Sequence, residues 1–259
     1  DLSGEVVARG ARVRHLSIGD EVFGVGIGAY AEYARARAEQ VVPRPRQLDR
    51  VAAAACAISG VTALQALRQG GPLHALQRVL ILGASGGVGA YAVQIAHHHG
   101  AQITAVCSAA KADFVRALGA DHVLDYACLN DSLSGPHHDL ILDIGGNRPL
   151  AQLRGLLSAR GTLVIIGGEQ AGPWSSGLGR SLRAWLLNPF VRQRLRPLIS
   201  LVRPDDLAHL ADLLAAGRIR VPLDAVFPLA EAAHALDLLA RGKVRGKLAL
   251  SVGTYPRQA

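Results

Sequence analysis

The chain has 259 residues, half of them hydrophobic and 19% charged, a balance that excludes a disordered tail and predicts a buried core in two ordinary domains or one large one. No apolar run reaches the roughly 18–20 residues of a membrane-spanning helix, so no membrane span is expected. The net charge of +8 rests mainly on arginines spread among acids, apart from one cluster from Arg180 to Arg203, and with aromatics at only 4% it reads as compositional bias rather than nucleic-acid binding, which relies on stacking platforms.

Residues 1–42 predict β structure. Short alternating stretches such as Glu5-Val6-Val7-Ala8 and Glu21-Val22-Phe23 are interrupted by Gly10, Gly19-Asp20, Gly24, Gly26 and Gly28. The chain opens Asp1-Leu2-Ser3-Gly4-Glu5, without signal-peptide character. It contains no methionine, which predicts a start inside a longer reading frame or the loss of its beginning. Pro43-Arg44-Pro45-Arg46 then breaks the pattern and reads as a crossing between domains. An Ala-rich helical stretch runs from Val51 to about Gln69.

The most regular part follows. Val79-Leu80-Ile81-Leu82 is a short apolar run of the buried-strand type, succeeded by a glycine-rich turn and a helix to about His99. Strands are then expected at Ile103–Cys107, His122–Tyr126, Leu140–Ile144 and Thr162–Ile166, with helices at Ala110–Leu118 and Leu150–Leu157. Strands alternating with helices at this spacing predict a parallel sheet with helices on both faces. From about Pro204 the pattern gives helices at Leu207–Ala216 and Leu229–Leu239 and a strand at Lys247–Val252. The two β parts are each too small to bury a core, so the chain's ends are expected to meet, with the last strand beside the opening β region.

The segment Leu82-Gly83-Ala84-Ser85-Gly86-Gly87-Val88-Gly89 lies directly after a strand and opens a helix. Ala84, Gly86 and Gly89 take the three glycine positions of the dinucleotide fingerprint, where small residues let the turn close, let the backbone approach a pyrophosphate, and let helix and strand pack closely. The exposed N–H groups and partial positive charge of the helix start would hold the phosphates. An NAD site usually places a carboxylate about 20 residues further on, at the ribose 2′-hydroxyl. Ser108 stands there instead, with Lys111 nearby, so a 2′-phosphate meets a hydrogen-bond donor and a point charge, and NADPH is the expected cofactor. Lys111 is alternatively an ordinary solvated helix residue.

Taken together, the chain resembles the zinc-independent quinone oxidoreductases of the medium-chain dehydrogenase/reductase superfamily. The resemblance rests on Gly19-Asp20-Glu21-Val22-Phe23-Gly24, Gly28-Ala29-Tyr30-Ala31-Glu32-Tyr33 and Gly60-Val61-Thr62-Ala63-Leu64. It continues in Ala84–Gly89, Leu118–Tyr126, Asp143-Ile144-Gly145-Gly146-Asn147, Gly161-Thr162-Leu163-Val164, Phe227-Pro228-Leu229 and Gly246-Lys247. It implies an α/β protein: a Rossmann doubly wound parallel sheet over 56–204 and a partial, discontinuous GroES-like β domain from 1–55 and 205–259. It also implies NADPH, a quinone or activated enone or carbonyl acceptor and a homodimer; the sparse cysteines, with no C-x-x-C pair, separately fit a reducing, cytoplasmic setting. Members carry roughly sixty more residues at the front, so the alternative is a catalytically impaired NADPH-binding or interaction protein.

By family position Ser85, Gly87, Val88, Ser108, Lys111 and Tyr126 contact the cofactor, while Gly146, Asn147, Gly167 and Gly168 lie near the nicotinamide end. Tyr126, at the carboxyl end of a strand, has a hydroxyl within reach of a 2′-phosphate, or is simply a sheet-end aromatic. No side chain stands out as a general acid or base, and the protein is expected mainly to position and polarise. No zinc is expected. Cys56, Cys107 and Cys128 form no C-x-x-C pair, and the catalytic cysteine of zinc relatives, two residues before Gly60, is replaced by Ile58. Cys56 reads as a small buried hydrophobe, and His97-His98-His99 as a solvated helix end whose side chains point apart.

Overall fold

The structure, a computed structural model, describes residues 1–127, 138–146, 148–167 and 178–253. The opening third contains β1 (Leu2–Glu5), β2 (Glu21–Gly24), β3 (Val41–Pro43), α1 (Arg50–Ala53) and α2 (Ala57–Gln69). Then come β4 (Arg78–Leu82), α3 (Gly87–His98), β5 (Gln102–Cys107), α4 (Ala112–Arg116), β6 (His122–Asp125), β7 (His138–Asp143), α5 (Leu150–Gly155) and β8 (Leu157–Ile165). The last part holds α6 (Leu178–Leu187), β9 (Arg194–Pro197), α7 (Pro204–Ala215), β10 (Leu223–Pro228), α8 (Ala232–Ala240) and β11 (Lys247–Ser251). Packing divides the chain into two units, Asp1–Thr62 with Leu201–Ala259, and Ala63–Ser200.

The continuous unit is built on one six-stranded sheet in the order β6-β5-β4-β7-β8-β9, every neighbouring pair parallel. The chain starts at β4, moves outward through β5 to β6, and then returns to the other side of β4 with β7. That reversal is the doubly wound topology, which gathers ligand-binding loops at the carboxyl ends of the strands. β4 explains itself from sequence: Val79, Leu80, Ile81 and Leu82 are all buried, as a strand covered on both faces requires. Leu80 and Leu82 join one core cluster with Val106, Ile141, Leu153, Leu163 and Leu195, while Tyr91 and Ile95 of α3 are buried as well.

Several elements of this unit depart from the sequence expectation. β8 begins at Leu157 rather than Thr162, and a sixth strand, β9, extends the sheet beyond it. Arg194-Leu195-Arg196-Pro197 shows one apolar residue among charges and a proline, the composition of an edge strand, yet Leu195 is fully buried. The expected helix at Ala110–Leu118 is shorter, a single 3₁₀ turn at Ala109–Lys111 running into α4.

The discontinuous unit contains the antiparallel sheet β1-β2-β3, with Ser3 opposite Phe23 and Phe23 opposite Val42. Leu16, Val22 and Val41 form its small core, with Leu2, Val6 and Val13 packed against them. Both ends of the chain do fall in this unit. The last strand differs from expectation in its partner: β11 pairs in parallel with β10, Phe227 opposite Leu250, and adds no strand to the opening sheet. β10 itself was not foreseen, because Leu223-Asp224-Ala225-Val226-Phe227-Pro228 is mostly half-exposed and does not alternate cleanly. Among the described residues no helix is long and apolar enough to cross a membrane.

Leu80 is a direct test of the shared core. It is wholly buried at the centre of the sheet, so Leu80→Ala is expected to cost about 2–5 kcal/mol through lost contacts and a residual cavity. Urea unfolding followed by circular dichroism reads this, and a loss under about 1 kcal/mol would contradict the packing described.

Candidate functional site

At the carboxyl end of β4 the chain turns sharply into α3. Gly83 has φ +83°, a conformation that glycine adopts without strain. Its N–H and that of Ala84 both donate to the Val106 carbonyl, at 3.1 and 3.0 Å, and the Gly86 N–H donates to the Gly83 carbonyl at 3.2 Å. Gly89 is held against this turn so closely that a Cβ there would lie 2.6 Å from Ala84 Cα and nearer still to the Gly83 oxygen. Gly86 is different. A Cβ at that position would meet only the Gly83 carbonyl oxygen, at an ordinary 3.5 Å, so the room its missing side chain leaves is open. Gly86 is the N-cap of α3 and supplies no side-chain cap, leaving main-chain N–H groups as the polar feature of the helix start. Ala84, Ser85 and Gly89 are buried, whereas Gly86, Gly87 and Val88 are half-buried along the open face.

Ser108, Lys111 and Tyr126 are brought to one corner, the carboxyl ends of the neighbouring strands β5 and β6. Cys107 pairs with Asp125, the Tyr126 N–H donates to the Cys107 carbonyl at 3.3 Å, and the Lys111 N–H to the Ser108 carbonyl at 2.9 Å. Tyr126 is 55% exposed, in a turn just past β6 rather than inside it. Asp125 is the acid at this corner. Its two oxygens accept the Ala109 N–H at 3.0 Å and the Ala127 N–H at 2.8 Å, so the carboxylate braces the loop. Burial pushes the Cys107 thiol up, Asp125 adds to the rise, and Lys111 and Arg116 oppose it.

The carboxyl end of β7 carries a second group of contacts. Asp143 is 1% exposed. One oxygen accepts the Gly146 N–H at 3.1 Å, and the other pairs with the Arg180 guanidinium from α6. Burial pushes the Asp143 carboxyl above its ordinary value, and Arg180 opposes that rise. Gly146 has φ +68°. Gly167 approaches the same loop from β8: a Cβ there would come within 3.2 Å of the Ile144 carbonyl carbon and closer to its oxygen. Of the sequence-predicted residues, Gly146 and Gly167 thus meet beside Ile144, while Asn147 and Gly168 lie outside the described residues. Arg148 and Arg180 were missed by sequence reasoning. Their positions in a loop and in α6 carry no local pattern that marks them as parts of a site.

The discontinuous unit contains a cavity of about 1150 Å³, walled by Leu2, Val6, Val13, Val22 and Leu250 among others, with Lys247 and Ile58 on its lining. The Lys247 ammonium donates to Ser59 Oγ at 3.2 Å and lies 3.8 Å from the Asp1 carboxylate, and burial pulls its pKa down. Cys56, adjacent in the fold, is fully buried, and its thiol donates to the Ala53 carbonyl at 3.1 Å. Burial pushes that thiol up to about 12. His98 and His99 rings lie 5.4 Å apart and tilted at the exposed end of α3. Among the described residues no group of three or more His, Cys, Asp or Glu is placed to hold a metal.

The chain is similar to known proteins along most of its length. A family model described as zinc-binding dehydrogenase matches residues 118–250. The chain is 32% identical over 246 residues to the chloroplast envelope quinone oxidoreductase homolog of Arabidopsis thaliana, covering 90% of this chain and 72% of that protein. It is 32% identical over 274 residues to the mitochondrial NAD(P)H oxidoreductase RTN4IP1 of Bos taurus, covering 97% and 69%. Among solved structures, the quinone oxidoreductase from Coxiella burnetii superposes with a TM-score of 0.84 at 29% identity, covering 97% of this chain and 78% of that one. A mycobacterial protein solved in complex with NADPH superposes at 0.81 with 26% identity, covering 96% and 80%.

The Asp143–Arg180 pair generates a prediction with a pH signature. Arg180→Ala leaves a buried carboxylate without its counter-charge, at an expected cost of about 3–5 kcal/mol. The Asp143 carboxyl already sits above its unfolded value, so its ionisation favours unfolding as pH rises, and losing Arg180 lifts it further. The penalty is therefore larger in neutral or alkaline buffer and shrinks as acid protonates the group. Urea midpoints of wild type and variant across pH read this, and a pH-independent gap would rule out Asp143 as the charge that Arg180 neutralises.

Proposed function

The chain belongs to the quinone oxidoreductase-like family of the medium-chain dehydrogenase/reductase superfamily, as an oxidoreductase using NAD(P)H, and on that premise we propose that it uses NADPH to reduce a quinone or an activated enone or carbonyl acceptor. The observation that carries the choice of cofactor is Ser108, which directly follows β5 where an NAD site would present a carboxylate. The nearest acid, Asp125, has both oxygens engaged by main-chain N–H groups, and Lys111 and Tyr126 share its corner.

The residues fit such a cofactor at the level of the main chain: the open room at Gly86 and the uncapped start of α3 match the needs of a pyrophosphate. In this reading Ala84, Ser85, Gly86, Gly87, Val88 and Gly89 hold the pyrophosphate. Ser108, Lys111 and Tyr126 take the 2′-phosphate, and Gly146, Asn147, Gly167 and Gly168 border the nicotinamide. When bound, NADPH supplies the hydride. The protein's own contribution is orientation. Gly83 turns the main chain through its positive φ, Gly89 and Gly167 fix it by close approach, and Asp143 holds the Gly146 N–H in place. No residue is assigned as proton donor.

We assign the discontinuous unit as a partial GroES-like catalytic domain, and its cavity, walled mainly by apolar side chains with Glu5, Arg9, Glu32, Arg35 and Lys247 also on its lining, suits a quinone or enone acceptor with an apolar body and polar oxygens. A homodimer is supported by β9, whose outer edge ends the sheet, and by Trp185, Phe190 and Ile199 in the same unit, which are 66%, 85% and 84% exposed. A reducing compartment such as the cytoplasm suits the unpaired buried thiols of Cys56 and Cys107.

Cofactor titration by intrinsic fluorescence tests the reading. One charge-assisted contact to the 2′-phosphate is expected to favour NADPH over NADH by roughly tenfold to a hundredfold. Lys111→Ala is expected to weaken NADPH while leaving NADH nearly unchanged. Equal affinities in the wild type, or equal losses in the variant, would mean that the 2′-phosphate is not read.

A further inference from the structure

We infer that Arg148 is a second cation for the adenosine 2′-phosphate, reaching the Ser108–Lys111–Tyr126 corner from the loop after β7; the inference rests on the NADPH reading above. The main chain of this arginine is anchored to the core. Its carbonyl accepts a hydrogen bond of 2.8 Å from Arg180, and Arg180 is itself paired with the buried Asp143. From that anchor the side chain extends to the other end of the site. One guanidinium nitrogen donates to the Tyr126 carbonyl at 3.0 Å, and the other to Gln152 Oε1 at 3.4 Å. Because the Tyr126 N–H is bonded to Cys107, the residue before Ser108, the guanidinium ends at the corner where β5 and β6 finish.

The charge at this corner makes a second cation consequential. Among the described residues, Asp125 places a carboxylate there and Lys111 a cation. Arg116, on α4, has its own counter-ion in Asp113 at 2.7 Å. A phosphate monoester carries about −1.5 to −2 charges near neutrality, so a corner holding only Lys111 and Asp125 would offer it no net attraction. Arg148 tips the balance to positive. Its planar fork of donors matches a phosphate bidentately, which the point charge of lysine does not. The Tyr126 carbonyl that now accepts its hydrogen bond is neutral, and a phosphate oxygen is the stronger acceptor.

The test is calorimetric titration of the full chain with NADPH, NADH, 2′,5′-ADP and AMP, in wild type, Arg148→Ala and Lys111→Ala. Arg148→Ala is expected to weaken NADPH and 2′,5′-ADP by roughly tenfold or more, with NADH and AMP unchanged, and Arg148→Lys to recover part of the loss. The Arg180 bond ends on a main-chain oxygen, so the alanine variant keeps its anchor and is expected to retain the unliganded Tm. Should it unfold, Arg148→Gln, which keeps a donor but no charge, carries the same comparison. If the wild type binds NADPH and NADH equally, the NADPH reading and this inference both fall. If the wild type prefers NADPH and only Lys111→Ala abolishes the preference, the reading stands and the inference is overturned. Equal losses for NADH and NADPH in Arg148→Ala would place the guanidinium on the pyrophosphate or the adenine, and overturn it as well.

Discussion

Where α3 leaves β4, the main chain of Gly89 is pressed onto that of Gly83 and Ala84, with no room for even one more carbon. That contact sets the direction of α3, and with it the direction in which the helix's first N–H groups point. It also explains why three small residues in one turn are not interchangeable. Gly83 is needed for its positive φ and Gly89 for the close approach. Gly86 has neither constraint, since a side chain there would meet protein only at an ordinary distance. Gly86 therefore leaves its main chain open on that side.

The second organising feature is a buried charge. Asp143 ends the strand next to β4 and is almost fully removed from water, a cost that only a partner and further hydrogen bonds can offset. Arg180 from α6 supplies the first and the Gly146 N–H contributes the second. The same arginine then fixes the Arg148 carbonyl. One ion pair thereby sets the course of the loop after β7 and ties it to the helix that leads to the edge strand β9. Such a pair adds little net stability compared with a well-packed apolar substitute. Its value lies in specifying one loop conformation among several.

In the discontinuous unit the chemistry is muted by burial. Burial pushes the Cys56 thiol up to about 12. Lys247 carries the opposite effect, an ammonium whose pKa is pulled down by burial on the lining of the mainly apolar cavity. The cluster behind the opening sheet, Leu16, Val22 and Val41 with their neighbours, is small. Neither β1-β2-β3 nor the pair β10-β11 is large enough to stand alone.

How far the sequence reaches follows from the range of the forces involved. Strands β4, β5 and β7 are legible because a strand covered on both faces must be apolar throughout, and the fingerprint is legible because its constraints act within one turn. β9 is not: Leu195 is its one buried residue, and an edge strand with two arginines and a proline looks like a loop. β10 fails for the same reason, half-exposed along most of its length. In the site, Ser108 and Lys111 could be found by counting residues from the first glycine. Arg148 and Arg180 could not, because they are joined to a carboxylate at the end of β7 and a carbonyl in the turn past β6, and contacts between separate segments leave no trace in local spacing. The corner's true polarity was hidden likewise, since Asp125 reads as the end of a strand until its two oxygens are seen to hold the loops on either side.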